Sequence, residues 1–154
     1  MDWRDVEAAE PGLAATVREE FERRGLVLVG TLTADGSPRI SAVAPGFVDG
    51  GLWLGMMWRS RKAVDLLRDP RLVLHSPICT NRGDEVEAIV RGEALAVPDE
   101  EAYERFRAAF PGVWQGRFHL FRVELETVSI VRYERGVQHV KVWPRGVEFR
   151  RPYG

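Results

Sequence analysis

From Leu26 onward the apolar residues leave helical spacing and fall into short runs cut by glycine turns, a pattern that only a sheet can bury. Leu26-Val27-Leu28-Val29 and Thr31-Leu32-Thr33 make the first run, closed by the turn Ala34-Asp35-Gly36-Ser37. A second extends from Pro38 to Val48 and turns at Asp49-Gly50-Gly51 into a third, Leu52 to Trp58. Three strands joined by two tight turns predict an antiparallel meander. Further strands are expected over Arg71 to Ile78 and Glu85 to Val97, with a bulge at Gly92, then over Phe118 to Tyr133, Val137 to Trp143 and Val147 to Arg150.

Helical spacing survives in three places. Leu13, Val17 and Phe21 recur every four residues between Glu10 and Arg24, with Pro11 near the start and Gly25 past the end. Ala63, Leu66 and Leu67 share a face before Asp69-Pro70, and Asp99 to Phe110 places Ala102, Phe106 and Ala109 or Phe110 on one side before Pro111-Gly112. Meanders with helices set between them predict a mainly β chain, an antiparallel barrel with a few short peripheral helices, because closing the sheet removes exposed edges.

The 154 residues, 45% of them hydrophobic, suffice for one core and hence one domain over residues 1–154. It divides into an N-terminal helix in 1–25 and a barrel over 26–150, with helices inserted at about 60–69 and 98–110. With 22 Lys and Arg against 23 Asp and Glu, the net charge of −1 gives no global pull toward nucleic acid or an anionic membrane. The first residues lack a signal-peptide layout and no apolar run nears the ~20 residues of a membrane span, so a cytoplasmic location is expected. A lone Cys79 excludes an internal disulfide and reads as a buried structural thiol.

One helix start breaks the usual charge rule. Helix N-termini carry partial positive charge and free N–H groups, so acidic residues belong there. The helix after Val97 obeys, opening on Asp99-Glu100-Glu101, whereas the helix after Trp58 opens on Arg59-Ser60-Arg61-Lys62. Three cations there cost on the order of 0.3–1 kcal/mol each unless an anion offsets them. A bound phosphate would do so, with Ser60 as N-cap and the arginines as forked donors. A solvated charge cluster is the competing reading. On the strand from Pro38, period-2 alternation puts Arg39, Ser41 and Val43 on one face and Ile40, Ala42 and Ala44 on the other, so a cation and a hydroxyl share a face expected to be apolar. A salt bridge at an edge or dimer interface competes for Arg39.

Gly36-Ser37-Pro38-Arg39 before a strand, then Asp49-Gly50-Gly51-Leu52-Trp53-Leu54, then Ser60-Arg61-Lys62-Ala63 with Leu67-Arg68-Asp69-Pro70-Arg71, resembles the pyridoxamine 5′-phosphate oxidase-like, FMN-binding split-barrel superfamily. The resemblance is strongest from Leu26 to Val97. It implies that Arg39, Arg61 and Lys62 hold the cofactor phosphate, that the strand carrying Ser41 and Val43 lies along the flavin ring, and that Gly55, Met56 and Met57 approach the ring and ribityl chain. Glu87 falls near a Gln that touches the flavin in authentic oxidases, with an exposed strand carboxylate as the competing reading. The resemblance further implies a homodimer with cofactor at the subunit interface, where Trp143 of one subunit covers the ring held by the other, ordinary interface packing being the alternative. His139 and Lys141, on the same strand face as Trp143, become candidates for a substrate pocket.

Departures from the family pattern point away from pyridoxamine 5′-phosphate as substrate. Ala44 stands near the place of a substrate-binding Lys, and the late Arg-x-His pair has only His139 and Lys141 as equivalents, since Arg117-Phe118-His119 lies one strand too early. No nucleophile elbow or metal-ligand spacing is present, as suits a chain whose chemistry resides in a cofactor. The sequence leaves three readings open. They are an FMN-dependent oxidoreductase acting on a small molecule, a 5-deazaflavin-dependent reductase, and a module that binds flavin, deazaflavin or haem without turnover.

Overall fold

A computed structural model describes residues 1–153 and contains one eight-stranded antiparallel sheet with four helices around it. In chain order the elements are α1 (Trp3–Ala9), α2 (Pro11–Glu22), β1 (Val27–Leu32), β2 (Pro38–Val48), β3 (Gly51–Met57), α3 (Arg61–Arg68), β4 (Arg71–His75), β5 (Val86–Ala96), α4 (Glu100–Ala109), β6 (Phe118–Glu134), β7 (Val137–Trp143) and β8 (Val147–Pro152). The strands follow the order β3-β2-β1-β4-β5-β6-β7-β8, and a further pairing of β3 with β6 closes the first part into a barrel. The 17 residues of β6 make closure possible. Its first residues pair with β3, its middle with β5, and its end with β7, so β7 and β8 continue as a hairpin beyond the barrel.

Alternation along each strand sorts side chains between the barrel core and the outside. Val29, Val43, Leu54, Leu74, Val90, Phe121 and Val128 all turn inward into one cluster, which α1 and α2 cover with Trp3, Val6, Val17 and Phe21. A second, aromatic cluster of Trp53, Phe106, Phe118 and Leu120 sits under α4. The bulge expected at Gly92 is present as a register shift between Arg91 and Gly92. A Cβ at Gly92 would lie 2.1 Å from the Glu124 carbonyl oxygen, so only glycine lets β5 and β6 approach there.

Several boundaries differ from the sequence expectation. The N-terminal helix is preceded by α1, whose start is fixed by a capping box between Asp2 and Asp5. The strands expected over 71–78 and 85–97 are shorter, because Pro77 cannot donate to a ladder and the turn after it draws the chain away from the sheet. Cys79, expected to be buried, is exposed in that same connection. Among the described residues no helix is long and apolar enough to cross a membrane.

Candidate functional site

The turn from β3 into α3 builds the site. Ser60 N–H donates to the Met57 carbonyl at 3.0 Å while Arg59 takes the left-handed conformation, φ 56°, which swings the chain sharply into the helix. The first intrahelical bond runs from Val64 N–H to the Ser60 carbonyl, so the N–H groups of Arg61, Lys62 and Ala63 precede the ladder. Ser60 occupies the N-cap position, as expected, but its side chain makes no capping bond. Its Oγ is buried and has no partner among the described residues. At α4, by contrast, the Asp99 carboxylate accepts from Glu101 N–H at 3.0 Å and two glutamates fill the first turn. The contrast between the two helix starts therefore extends from charge to hydrogen bonding.

Arg61 and Arg68 stand seven residues apart on α3, about 10 Å along one face of the helix. They line an open groove of about 690 Å³ together with Arg39, Arg59, Asp35 and Asp65. Four guanidinium groups against two carboxylates leave the lining two positive charges in excess. Asp65 is nearly buried, at 4% exposure. Its Oδ2 accepts from Arg39 Nε at 2.7 Å and Thr31 Oγ1 at 2.9 Å, and its Oδ1 from Arg68 Nη2 at 3.4 Å. Burial pushes the Asp65 carboxyl up, but the Arg39 and Thr31 hydrogen bonds and the Arg39 charge outweigh it and hold the pKa below the ordinary aspartate value. The Asp35 carboxyl is held at about 2 by hydrogen bonds from the Thr33 hydroxyl and Ser37 N–H.

Arg39 and Arg61 thus line one groove, and Ser60 stands between two of its lining residues, Arg59 and Arg61. Lys62 does not join them. Its Nζ donates to the Ala42 carbonyl at 2.6 Å, and burial lowers its pKa. Ser41 shares the inward side of β2 with Arg39 and is half-buried. Val43 and Met56 are core side chains, at 3% and 1% exposure, so neither can offer a ligand more than backbone. Gly55 is covered by the Trp114 indole, 2.5 Å from where a Cβ would stand, while Met57 is exposed.

The other candidates are dispersed. Glu87 is no free strand carboxylate, since Tyr133 OH donates to its Oε1 at 2.9 Å and His75 Nε2 lies 3.4 Å from its Oε2. His139, Lys141 and Trp143 do share a face of β7, and all three are half-buried. Lys141 Nζ is paired with Glu10 Oε2 at 2.6 Å, and Trp143 packs against its own barrel. Within one protomer, then, Lys141 and Trp143 already have partners of their own. Arg117-Phe118-His119 lies where β6 meets the end of β3, with His119 opposite Met56. The His119 imidazole stacks on Trp58 with centroids 4.3 Å apart, and the Arg117 guanidinium sits 3.7 Å from the same indole. Burial and the Arg117 charge lower the His119 pKa, and its Nε2 is buried without a partner among the described residues.

Sequence reasoning passed over Asp65, Arg68 and Trp58. Asp65 left one signal, an acid beside Leu66 on a helix face that otherwise reads as buried. Arg68 sits at i,i+7 from Arg61, and Trp58 gives none.

The family model for pyridoxamine 5′-phosphate oxidase matches residues 13–132, most of the chain. The chain belongs to the pyridoxamine 5′-phosphate oxidase family. The match takes in α2 through most of β6 and leaves α1 and the β7–β8 hairpin outside it. No curated protein matches the chain. Among solved structures, a Clostridium acetobutylicum protein related to general stress protein 26 of B. subtilis superposes with a TM-score of 0.64 at 18% identity, over 87% of this chain and 94% of that one. PhzG from Burkholderia lata, solved with tetrahydrophenazine-1-carboxylic acid, gives a TM-score of 0.61 at 13% identity over 96% and 92%. HutZ, a heme storage protein of Vibrio cholerae, gives 0.60 at 17% identity over 74% and 90%. At these identities the likeness is one of fold.

Proposed function

We propose that this protein is a homodimeric, FMN-binding oxidoreductase acting on a small molecule other than pyridoxamine 5′-phosphate, with the FMN phosphate held at the head of α3. The observation that carries the reading is a helix start without an acidic residue or a cap, whose Ser60 hydroxyl is buried and unpartnered beside a groove with two positive charges in excess. A phosphate monoester carries about −1.5 to −2 charge at neutral pH and three acceptor oxygens, which is the complement of that lining. Arg61 and Arg59 would contact it from the turn and Arg39 from β2, while Ser60 and the first N–H groups of α3 would receive the remaining oxygens. A bound flavin supplies hydride or electron transfer from its ring. The chain's own part is to grip the phosphate, orient the ring and keep water from it.

A row of paired residues supports the dimer. Ala42, Leu28, His75, Ile89, Ser129, Val142 and Val147 lie side by side across β2, β1, β4, β5, β6, β7 and β8 on the outside of the barrel. Ile40, at 74% exposure, and Leu28, at 40%, stand on this same face. A face that pairs exposed aliphatic side chains with the polar His75 and Ser129 is suited to a flavin ring and a second protomer.

A second reading is a module that binds flavin, deazaflavin or haem without turnover. It is favoured by the outer face, where His75 and Tyr133 both engage Glu87 and commit that carboxylate within the chain. The test is the spectrum and mass of what co-purifies, followed by titration with FMN, a 5-deazaflavin and haem and by reduction with a nicotinamide nucleotide. A flavin-type spectrum that is bleached and then restored by a substrate supports the oxidoreductase. A chromophore that binds and is never reduced supports the module, and no binding of any of the three refutes both.

A further inference from the structure

We propose that Asp65 is the positioning residue of the anion groove, holding Arg39 in the orientation that receives a phosphate; the inference rests on the phosphate-binding reading above. A carboxylate inside an anion site is at first sight a defect, because Coulomb repulsion between Asp65 and a phosphate opposes binding. Three features of the geometry outweigh it.

Asp65 spans three elements at once. It is carried by α3, takes a hydrogen bond from Thr31 on β1 through Oδ2, and engages Arg39 on β2 through the same oxygen and Arg68 on α3 through the other. Arg39 is bound by its Nε alone. That leaves its two terminal nitrogens for a ligand, and neither makes a hydrogen bond among the described residues. Arg68 is fixed at a second point by its bond to the Leu32 carbonyl, so its guanidinium is tied to the groove wall rather than sampling solvent.

Thr31 is itself 2% exposed, and the clamp is therefore built into the core. An arginine already held in its binding rotamer loses less conformational freedom on meeting an anion than one released to water. Asparagine is no full substitute: its amide oxygen can still accept from Thr31 and Arg39, but it carries no charge to hold Arg39 and turns an NH₂ group toward Arg68. Asp65 acts on the ligand through Arg39, with Arg68 bracing the carboxylate's other oxygen, and does not touch it.

The test is titration of the protein with FMN, and separately with inorganic phosphate, in wild type, Asp65→Asn, Arg39→Gln and the double variant. The expected result is that Asp65→Asn weakens both ligands by about tenfold although it removes a negative charge, as for loss of one hydrogen bond between charged groups. In the Arg39→Gln background Asp65→Asn is expected to change affinity by less than about twofold, because the residue it acts through is gone. A purely structural role would leave the two effects additive. If Asp65→Asn does not fold, Thr31→Val loosens the same carboxylate without altering groove charge, and it is expected to weaken FMN binding about threefold, because only part of the lost charge-assisted bond reaches the ligand through Arg39. Unchanged or tighter binding in Asp65→Asn, additive effects in the double variant, or unchanged binding in Thr31→Val each overturn the assignment. Wild type that binds neither FMN nor phosphate overturns the phosphate reading and this inference with it, and is told apart because it needs no variant.

Discussion

Ser60→Ala is a substitution for which stability and binding are expected to move in opposite directions. An ordinary N-cap serine contributes about 0.5–2 kcal/mol, and replacing it with alanine lowers stability by that amount. Ser60 makes no capping bond, so that loss does not arise. Its Oγ is instead buried without a partner among the described residues, a condition that costs about 1–3 kcal/mol. Removing it should stabilise the ligand-free protein by about 1 kcal/mol after allowance for the small void left behind. For a chain of this length that corresponds to a rise in Tm of roughly 2–4 °C. With phosphate bound, the same hydroxyl donates to a charged oxygen, and its loss costs about 1.5–3 kcal/mol of affinity, tenfold or more in Kd. Thermal unfolding of wild type and variant, each alone and with saturating FMN, separates the two effects. The reasoning is refuted if Ser60→Ala lowers the Tm of the ligand-free protein as an ordinary cap mutation would, or if FMN affinity is unchanged.

FMN affinity should fall between pH 7.5 and pH 5, because the second phosphate pKa is about 6 while the groove keeps its charge. Asp65 and Asp35 both have depressed pKa values and stay ionised over that range. For stability the sign follows from the same direction: the Asp65 contribution is complete above the unfolded value of about 3.9 and is lost only as pH falls through the lower folded value. Denaturant midpoints at pH 5 and 7.5 should therefore not differ on account of Asp65, while FMN titrations do; a flat affinity profile contradicts the phosphate assignment. Ile40→Glu places a carboxylate on the outer face of β2, where the side chain is already exposed in one chain. It should leave the fold intact and convert a dimer to a monomer in sedimentation equilibrium, and a variant that stays dimeric excludes this face as the interface.

The elements were legible wherever one local rule sufficed. Asp35-Gly36 and Asp49-Gly50-Gly51 mark the turns of the β1–β2–β3 meander, and Gly92 marks the bulge. The α3 and α4 helix starts differed in charge before they differed in hydrogen bonding. What stayed hidden depends on contacts remote in sequence. Asp65 takes its meaning from Thr31 and Arg39, which lie 34 and 26 residues away on two strands. Period-2 alternation correctly put His139, Lys141 and Trp143 on one face but cannot say what that face meets, and Glu10, 131 residues from Lys141, meets it. Helix α1 is only seven residues long, too short for periodicity to register, although Asp2 and Asp5 hold its capping signature.

The central claim, a phosphate grip at the head of α3, is tested most directly by equilibrium titration of FMN into wild type and Arg61→Gln, followed by flavin fluorescence. Arg61 is exposed, lines the groove and has no ion-pair partner among the described residues, so its replacement should leave the fold untouched. Loss of one charge-assisted contact, about 1.5–3 kcal/mol, is expected to raise Kd at least tenfold. Equal affinity in the two proteins would contradict the claim.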